Sequence, residues 1–229
     1  MHVGRSPSWQ FGHGDMGFLH TALFVRDAAA LPVAPAPDIP PRLAGEIPGD
    51  AEVLTGPERT TAGQQWAGWW HRLVGQAVRE ARQSVTPLPA GTDPDDFHAR
   101  IRHRFGGRDE VFDPPAFRAL AGIEPLHSAV IATFGLFRQW SISRQDQAEL
   151  AQRGFAPGIV RAAAERTAAD LGVPVNDLAG YANVLDLDGQ WWHLAGPGCA
   201  LCSVAVARDP VAAARLLREI FSSGRMRPR

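Results

Sequence analysis

Lysine is missing from this chain: all 23 basic side chains are arginine. No lysine Schiff base can form, so a standard pyridoxal-phosphate site is excluded. The P-loop lysine and the strand lysine of protein kinases are excluded with it. With abundant Ala, Gly and Pro, an all-arginine basic set is what GC-rich codons produce, so a high-GC bacterial source is expected. Cysteine is nearly missing as well. Two residues, Cys199 and Cys202, do not make a secreted disulfide scaffold. No stretch approaches the ~18 apolar residues of a membrane span, and the N-terminal MHVGRSPSWQFGHGDMG lacks a signal-peptide core. An excess of one charge is also lacking. The formal net charge of −1 provides no global attraction to nucleic acid, membrane surface or acidic ligands. The expectation is a cytoplasmic protein with no membrane contact.

What is present suits a globular fold. The 229 residues are 45% apolar and 21% charged, enough to bury a proper core. GFLHTALFVRDAAAL (17–31) is apolar enough to be buried, as a strand or a short helix. LPVAPAPDIPPRL (31–43) is too rich in proline for regular structure and reads as an extended connector. A Pro-x-x-P ligand for an aromatic groove is its sharper reading. Residues 1–43 are therefore expected to form an irregular arm, and 44–229 a single α+β domain with a sub-boundary near 125. Helices are predicted over Glu58–Gln83, where Thr55 and Glu58 have capping-box spacing. Others are predicted from Asp93-Pro94, with Phe97, Ile101 and Phe105 buried, and over Leu126–Trp140 and Pro157–Leu171. A last helix starts at Asp209-Pro210.

The fold class expected is α+β, mostly helical in the N-terminal two-thirds. A C-terminal antiparallel three-stranded meander follows in YANVLDLDGQWWHLAGPGCALCSVAVA, with turns at Asp188-Gly189 and Gly196-Pro197-Gly198. Leu185, Leu187, Trp192 and Leu194 would form its core face, packed on Val211, Ala214, Leu217 and Phe221 of the terminal helix.

The stretch WWHLAGPGCALC (191–202) concentrates the chemistry. Hairpin pairing across Asp188-Gly189 makes Asp186 and His193 diagonal neighbours on the polar face. A flat strand sends Cys199 and Cys202 to opposite faces, because side chains alternate. Buried structural cysteines are the favoured reading. A zinc site on His193, Cys199 and Cys202 needs a bulge and a further ligand from elsewhere. A redox Cys-x-x-C belongs at a helix start, whereas Ser203–Ala207 reads as strand.

GHGDMG (12–17) formally matches Gly-x-Gly-x-x-Gly. A dinucleotide fingerprint requires a buried strand before it and an acidic residue ending a second strand. Residues 1–11 read as a poor strand, and Asp38, at the right distance, lies in the proline connector. An irregular lead-in is expected instead. His98 and His103 lie five apart and share no helix face. His13 and His20 have no spacing that requires a metal. No Gly-x-Ser-x-Gly elbow suggests a hydrolase serine.

Trp66, Trp69 and Trp70 have two readings. They are core anchors, or an exposed patch that would make them the interaction residues. Residues 143–172 resemble the helix-turn-helix of bacterial regulators in Gln147, Glu149-Leu150-Ala151, Gly154 and Ile159-Val160 before Arg161. A hairpin follows where a wing would. The turn glycine comes one residue early, and Arg161 and Arg166 are offset by Glu165 and Asp170. The expected function is a non-catalytic binding or accessory protein that meets another protein and needs no cofactor. One alternative is a DNA-binding regulator using Arg161 and Arg166. The other is a zinc- or thiol-dependent enzyme using Asp186, His193 and Cys199.

Overall fold

Periodicity and capping account for the long helices. In the computed structural model, which describes residues 10–14, 16–49, 54–85, 98, 110–144 and 154–224, helix α1 covers Gly17–Ala28 and α2 covers Gly56–Val85. Helices α3 (Leu126–Ser143), α4 (Pro157–Leu171), α5 (Val204–Arg208) and α6 (Pro210–Ser223) follow. At the start of α2, Glu58 Oε2 accepts from Thr55 N at 2.8 Å, one half of a capping box. Gly172, at φ 64°, closes α4 in the left-handed region that favours glycine. Asp209 caps α6 by accepting from Val211 N and Ala212 N. The helix start expected at Asp93-Pro94, the phenylalanines near it and His103 lie outside the described residues.

Residues 17–28, open between strand and helix, are helical. Every residue from Phe18 to Ala28 is buried, so α1 is a core helix wrapped on all sides. Thus α1 is part of the core and not of an arm. Its polar members are each engaged; His20 Nε2, for example, accepts from Asp186 N at 3.1 Å.

The sheet has four strands: β1 (Gln10–Gly14), β2 (Ala179–Leu185), β3 (Trp192–Gly196) and β4 (Cys199–Ser203), in the order β1-β2-β4-β3. The architecture is α+β, as expected, but the strand pairing corrects the meander. β2 does not pair with β3. It runs parallel to β1 on one side and to β4 on the other, and only β3–β4 is antiparallel. Burial explains the sorting. All seven residues of β2 and all five of β4 are buried, the pattern of strands covered on both faces by helices. β3 is half exposed and takes the edge.

One face of the sheet packs against α1, α2 and α3, and the other against α4 and α6. Leu185 and Leu187 belong to the first face, away from the terminal helix. Trp192 lies on the second, while Leu194 is 38% exposed. The buried side of α6 is Ala213, Leu216, Leu217, Ile220 and Phe221; Val211, expected in the core, is 80% exposed. Ser203–Ala207 is not a continuous strand either. β4 ends at Ser203, whose hydroxyl accepts from Val206 N and so caps the short α5.

β1 overturns the irregular lead-in. Glycine weakens a strand on its own, but here the missing side chains make room. A Cβ on Gly12 would stand 2.7 Å from the Tyr181 ring, and one on Gly14 would stand 2.8 Å from its hydroxyl. Tyr181 thus lies across β1 on one face, while Phe11 meets Phe155 and Phe221 on the other, with ring centroids 5.6 and 5.8 Å apart. We expect Gly12→Ala to destabilise the fold by about 1–3 kcal/mol through overpacking. Urea denaturation checks this; an unchanged midpoint would show that the ring does not rely on that gap.

Candidate functional site

The connector 31–43 is a fixed strap. Proline removes backbone donors, but the strap's carbonyls still need partners. At the last turn of α1, Arg26 Nη1 donates to Pro40 O at 2.6 Å and Nη2 to Pro41 O at 2.7 Å. The same guanidinium meets Asp27 fork to fork, Nε to Oδ1 at 2.8 Å and Nη2 to Oδ2 at 3.1 Å. Asp27 Oδ2 in turn accepts from Leu43 N at 2.8 Å. The Arg26 cation lies 5.4 Å from the centroid of the Trp66 ring. Beyond the strap, Leu43 forms an isolated antiparallel bridge with Leu187, and Asp188 N donates to Arg42 O at 2.9 Å.

The middle of the strap is held by α2. Trp70 Nε1 donates to Asp38 O at 3.1 Å, and His71 Nε2 stands 2.7 Å from Asp38 Oδ2. This contact with His71 holds the Asp38 carboxyl below its ordinary range, with a smaller contribution from His193 on β3. His193 stacks on Trp191, with ring centroids 6.3 Å apart and planes at 21°.

Between the strap and the 188–191 loop lies an open cleft with a volume of about 1000 Å³. Its walls include Val33, Pro37, Ile39 and Arg42 on the strap and Asp188 and Trp191 on the loop. A largely apolar concavity with a few charged groups at its rim is the usual form of a binding site.

The residues singled out from sequence are dispersed. Trp66, Trp69 and Trp70 are each 0% exposed and anchor the core. Their indole nitrogens reach Ala22 O, Val111 O and Asp38 O, so each buried N–H has a partner. Asp186 and His193 are not diagonal neighbours, because β4 lies between their strands. The Asp186 carboxylate instead pairs with Arg144, whose Nη1 also donates to Ala44 O at 2.8 Å. Cys199 lies on the α2 face of β4 and Cys202 on the α6 face, the alternation expected from their spacing. Among the described residues no group of three or more His, Cys, Asp or Glu side chains is placed to hold a metal ion.

Arg161 and Arg166 are exposed on α4, alternating with exposed Glu165 and Asp170. Residues 145–153, which would carry the first helix of the helix-turn-helix, lie outside the described set. His98 is exposed, and His13 faces Phe155 from β1, its pKa lowered by burial. Gly-x-Gly-x-x-Gly does begin in strand β1 and end at the start of helix α1, but Gly12 and Gly14 accommodate Tyr181, and Asp38 ends no strand.

Neither the cleft nor the pair that holds the strap beside it is marked in the sequence. Asp38 and His71 are 33 residues apart, and nothing local marks them as partners. The one available signal was Trp191 beside His193, two aromatic groups on the more polar side of a half-exposed strand. No family model, curated protein or solved structure matches the chain.

Two measurements test this geometry. Arg26→Met leaves Asp27 buried without its partner and is expected to cost about 3–5 kcal/mol in urea denaturation. Arg26→Met/Asp27→Leu should recover part of that loss; equal losses would mean the charge pair is not the anchor. The thiols provide a pH test. Burial pushes both Cys199 and Cys202 from 9.0 up to about 12. Each is an acid whose folded pKa is raised, so its contribution is complete below pH 9.0 and declines as pH rises towards about 12. Stability should therefore fall over that alkaline window, and less so in Cys199→Ala/Cys202→Ala. Ellman's reagent at pH 8 should find both thiols only after unfolding; rapid reaction of the native protein would contradict their burial.

Proposed function

We propose that this chain is a non-catalytic binding protein of the bacterial cytoplasm that engages a partner protein through the strap cleft. The observation that carries this reading is preorganisation. Both walls of the cleft are tied to the core, the strap by Arg26, Asp27, Trp70 and His71 and the loop by the paired bonds between Trp191 and the buried Ser203 of β4. A rigid concavity loses little entropy when it is filled, so contacts made there translate efficiently into affinity. Trp191, partly buried in one wall, is of the residue type that most often dominates binding energy. Trp66 under Arg26 and Trp70 under Asp38 O support the strap from beneath and do not themselves form the contact surface.

The test is capture of the partner by crosslinking in the source bacterium, with three versions of the full chain. Wild type should recover one protein stoichiometrically. Trp191→Ala should lose it at least about tenfold while melting near the wild-type temperature. Ala162→Arg, on the far side of the sheet, should retain it. Undiminished capture by Trp191→Ala would overturn the reading.

A further inference from the structure

The two walls of the cleft differ in charge and in hydrogen-bonding capacity. On the strap side, two guanidiniums, Arg26 at the end of α1 and Arg42 on the strap itself, share one carboxylate, Asp27. Arg26 is fully committed to Asp27, Pro40, Pro41 and the Trp66 face. Arg42 is not. Its side chain is 72% exposed, and among the described residues its ion pair is the long 3.8 Å approach of Nε to Asp27 Oδ1. The strap wall therefore carries one unspent positive charge, oriented by a buried anion. The facing loop carries Asp188, exposed and of opposite sign.

Hydrogen bonding narrows the choice of occupant. Pro35, Pro37, Pro40 and Pro41 have no N–H, so an incoming chain cannot extend a β-ladder along the strap. Recognition must come from side chains. Proline residues line the strap side and Trp191 the loop side. A planar ring fills such a slot with the most contact and the least lost rotamer freedom.

We propose that the occupant is an extended segment of a partner protein that presents an aromatic side chain beside a carboxylate. The ring enters between Trp191 and the strap prolines, and the carboxylate meets the Arg42 guanidinium. Asp188 repels that carboxylate and so fixes it to the strap side. This rests on the cleft being the binding surface.

Fluorescence polarisation with the full chain tests it, using capped, labelled Gly-Ser peptides that differ at two positions. Phe-Glu should bind most tightly, Phe-Gln and Leu-Glu more weakly, and Phe-Arg about tenfold more weakly than Phe-Glu. Arg42→Glu should reverse the order of Phe-Glu and Phe-Arg, and Asp188→Asn should tighten Phe-Glu. Trp191→Ala should weaken every aromatic probe. Equal binding of Phe-Glu and Phe-Arg, or an order unchanged by Arg42→Glu, overturns the proposal. So does saturation by free phenylacetate at a lower concentration than Phe-Glu, which would make a small aromatic acid the natural ligand. If no peptide binds while Trp191→Ala still releases the captured partner, this inference fails and the cleft remains the interface. If Trp191→Ala changes neither, both fail.

Discussion

Everything near the cleft depends on one buried ion pair. Arg26 and Asp27 are sequence neighbours, and side chains so placed on a helix normally diverge. At the C-terminal end of α1 they meet fork to fork, and both are largely withdrawn from water. Taking two charges out of solvent is expensive, and their mutual attraction alone seldom offsets it. Here the surplus hydrogen-bonding capacity of both groups is used on the strap: two proline carbonyls for Arg26 and the Leu43 amide for Asp27. A segment that cannot form regular structure thereby acquires one definite path. The bridge from Leu43 to Leu187 follows from that path, and so does the position of the loop that carries Trp191.

The sheet imposes the other constraint. Its central strands are buried on both faces, so every polar side chain within them must find a partner or remain unsatisfied. Asn183 shows the tension. It is 0% exposed, its Nδ2 lies 3.9 Å from Cys199 Sγ, and its Oδ1 has no hydrogen-bond partner among the described residues. Just past the end of β2 the polar groups are better served. His20 takes the Asp186 amide and Arg144 takes its carboxylate, linking α1 and α3 to the same residue. That residue is thus a structural junction between the sheet and two helices.

The helices were legible because their signals are local. The apolar spacing of Trp66, Trp70, Leu73 and Ala77 and the cap at Asp209-Pro210 each sit within a few turns of the element they define. The opposite-facing cysteines were legible for the same reason, since strand alternation needs no tertiary information. The order of the strands was not. The alternation in LDLDGQWWHL suggested a hairpin with β2, yet the decisive feature was the unbroken burial of AGYANVL and CALCS, which favours central, parallel positions. β1 was invisible because its glycines are explained only by Tyr181, far along the chain. The cleft was invisible for a related reason: Val33, Ile39 and Arg42 of the strap and Asp188 and Trp191 of the loop come from two distant segments, and only the folded strap brings them together.

The parallel pairing of β1 with β2 also brings the two ends of the described chain to one place. Gln10 N donates to Leu178 O, and the next amide along, Ala179 N, donates to Gly224 O at 3.1 Å. Gly198, in the turn of the β3–β4 hairpin, touches Gly224 so closely that a Cβ there would come within 2.9 Å of its Cα. Residues 10 and 224 could therefore be joined by a short linker, which is the geometry that circular permutation needs. New ends could be opened in a surface connection while the sheet stayed intact.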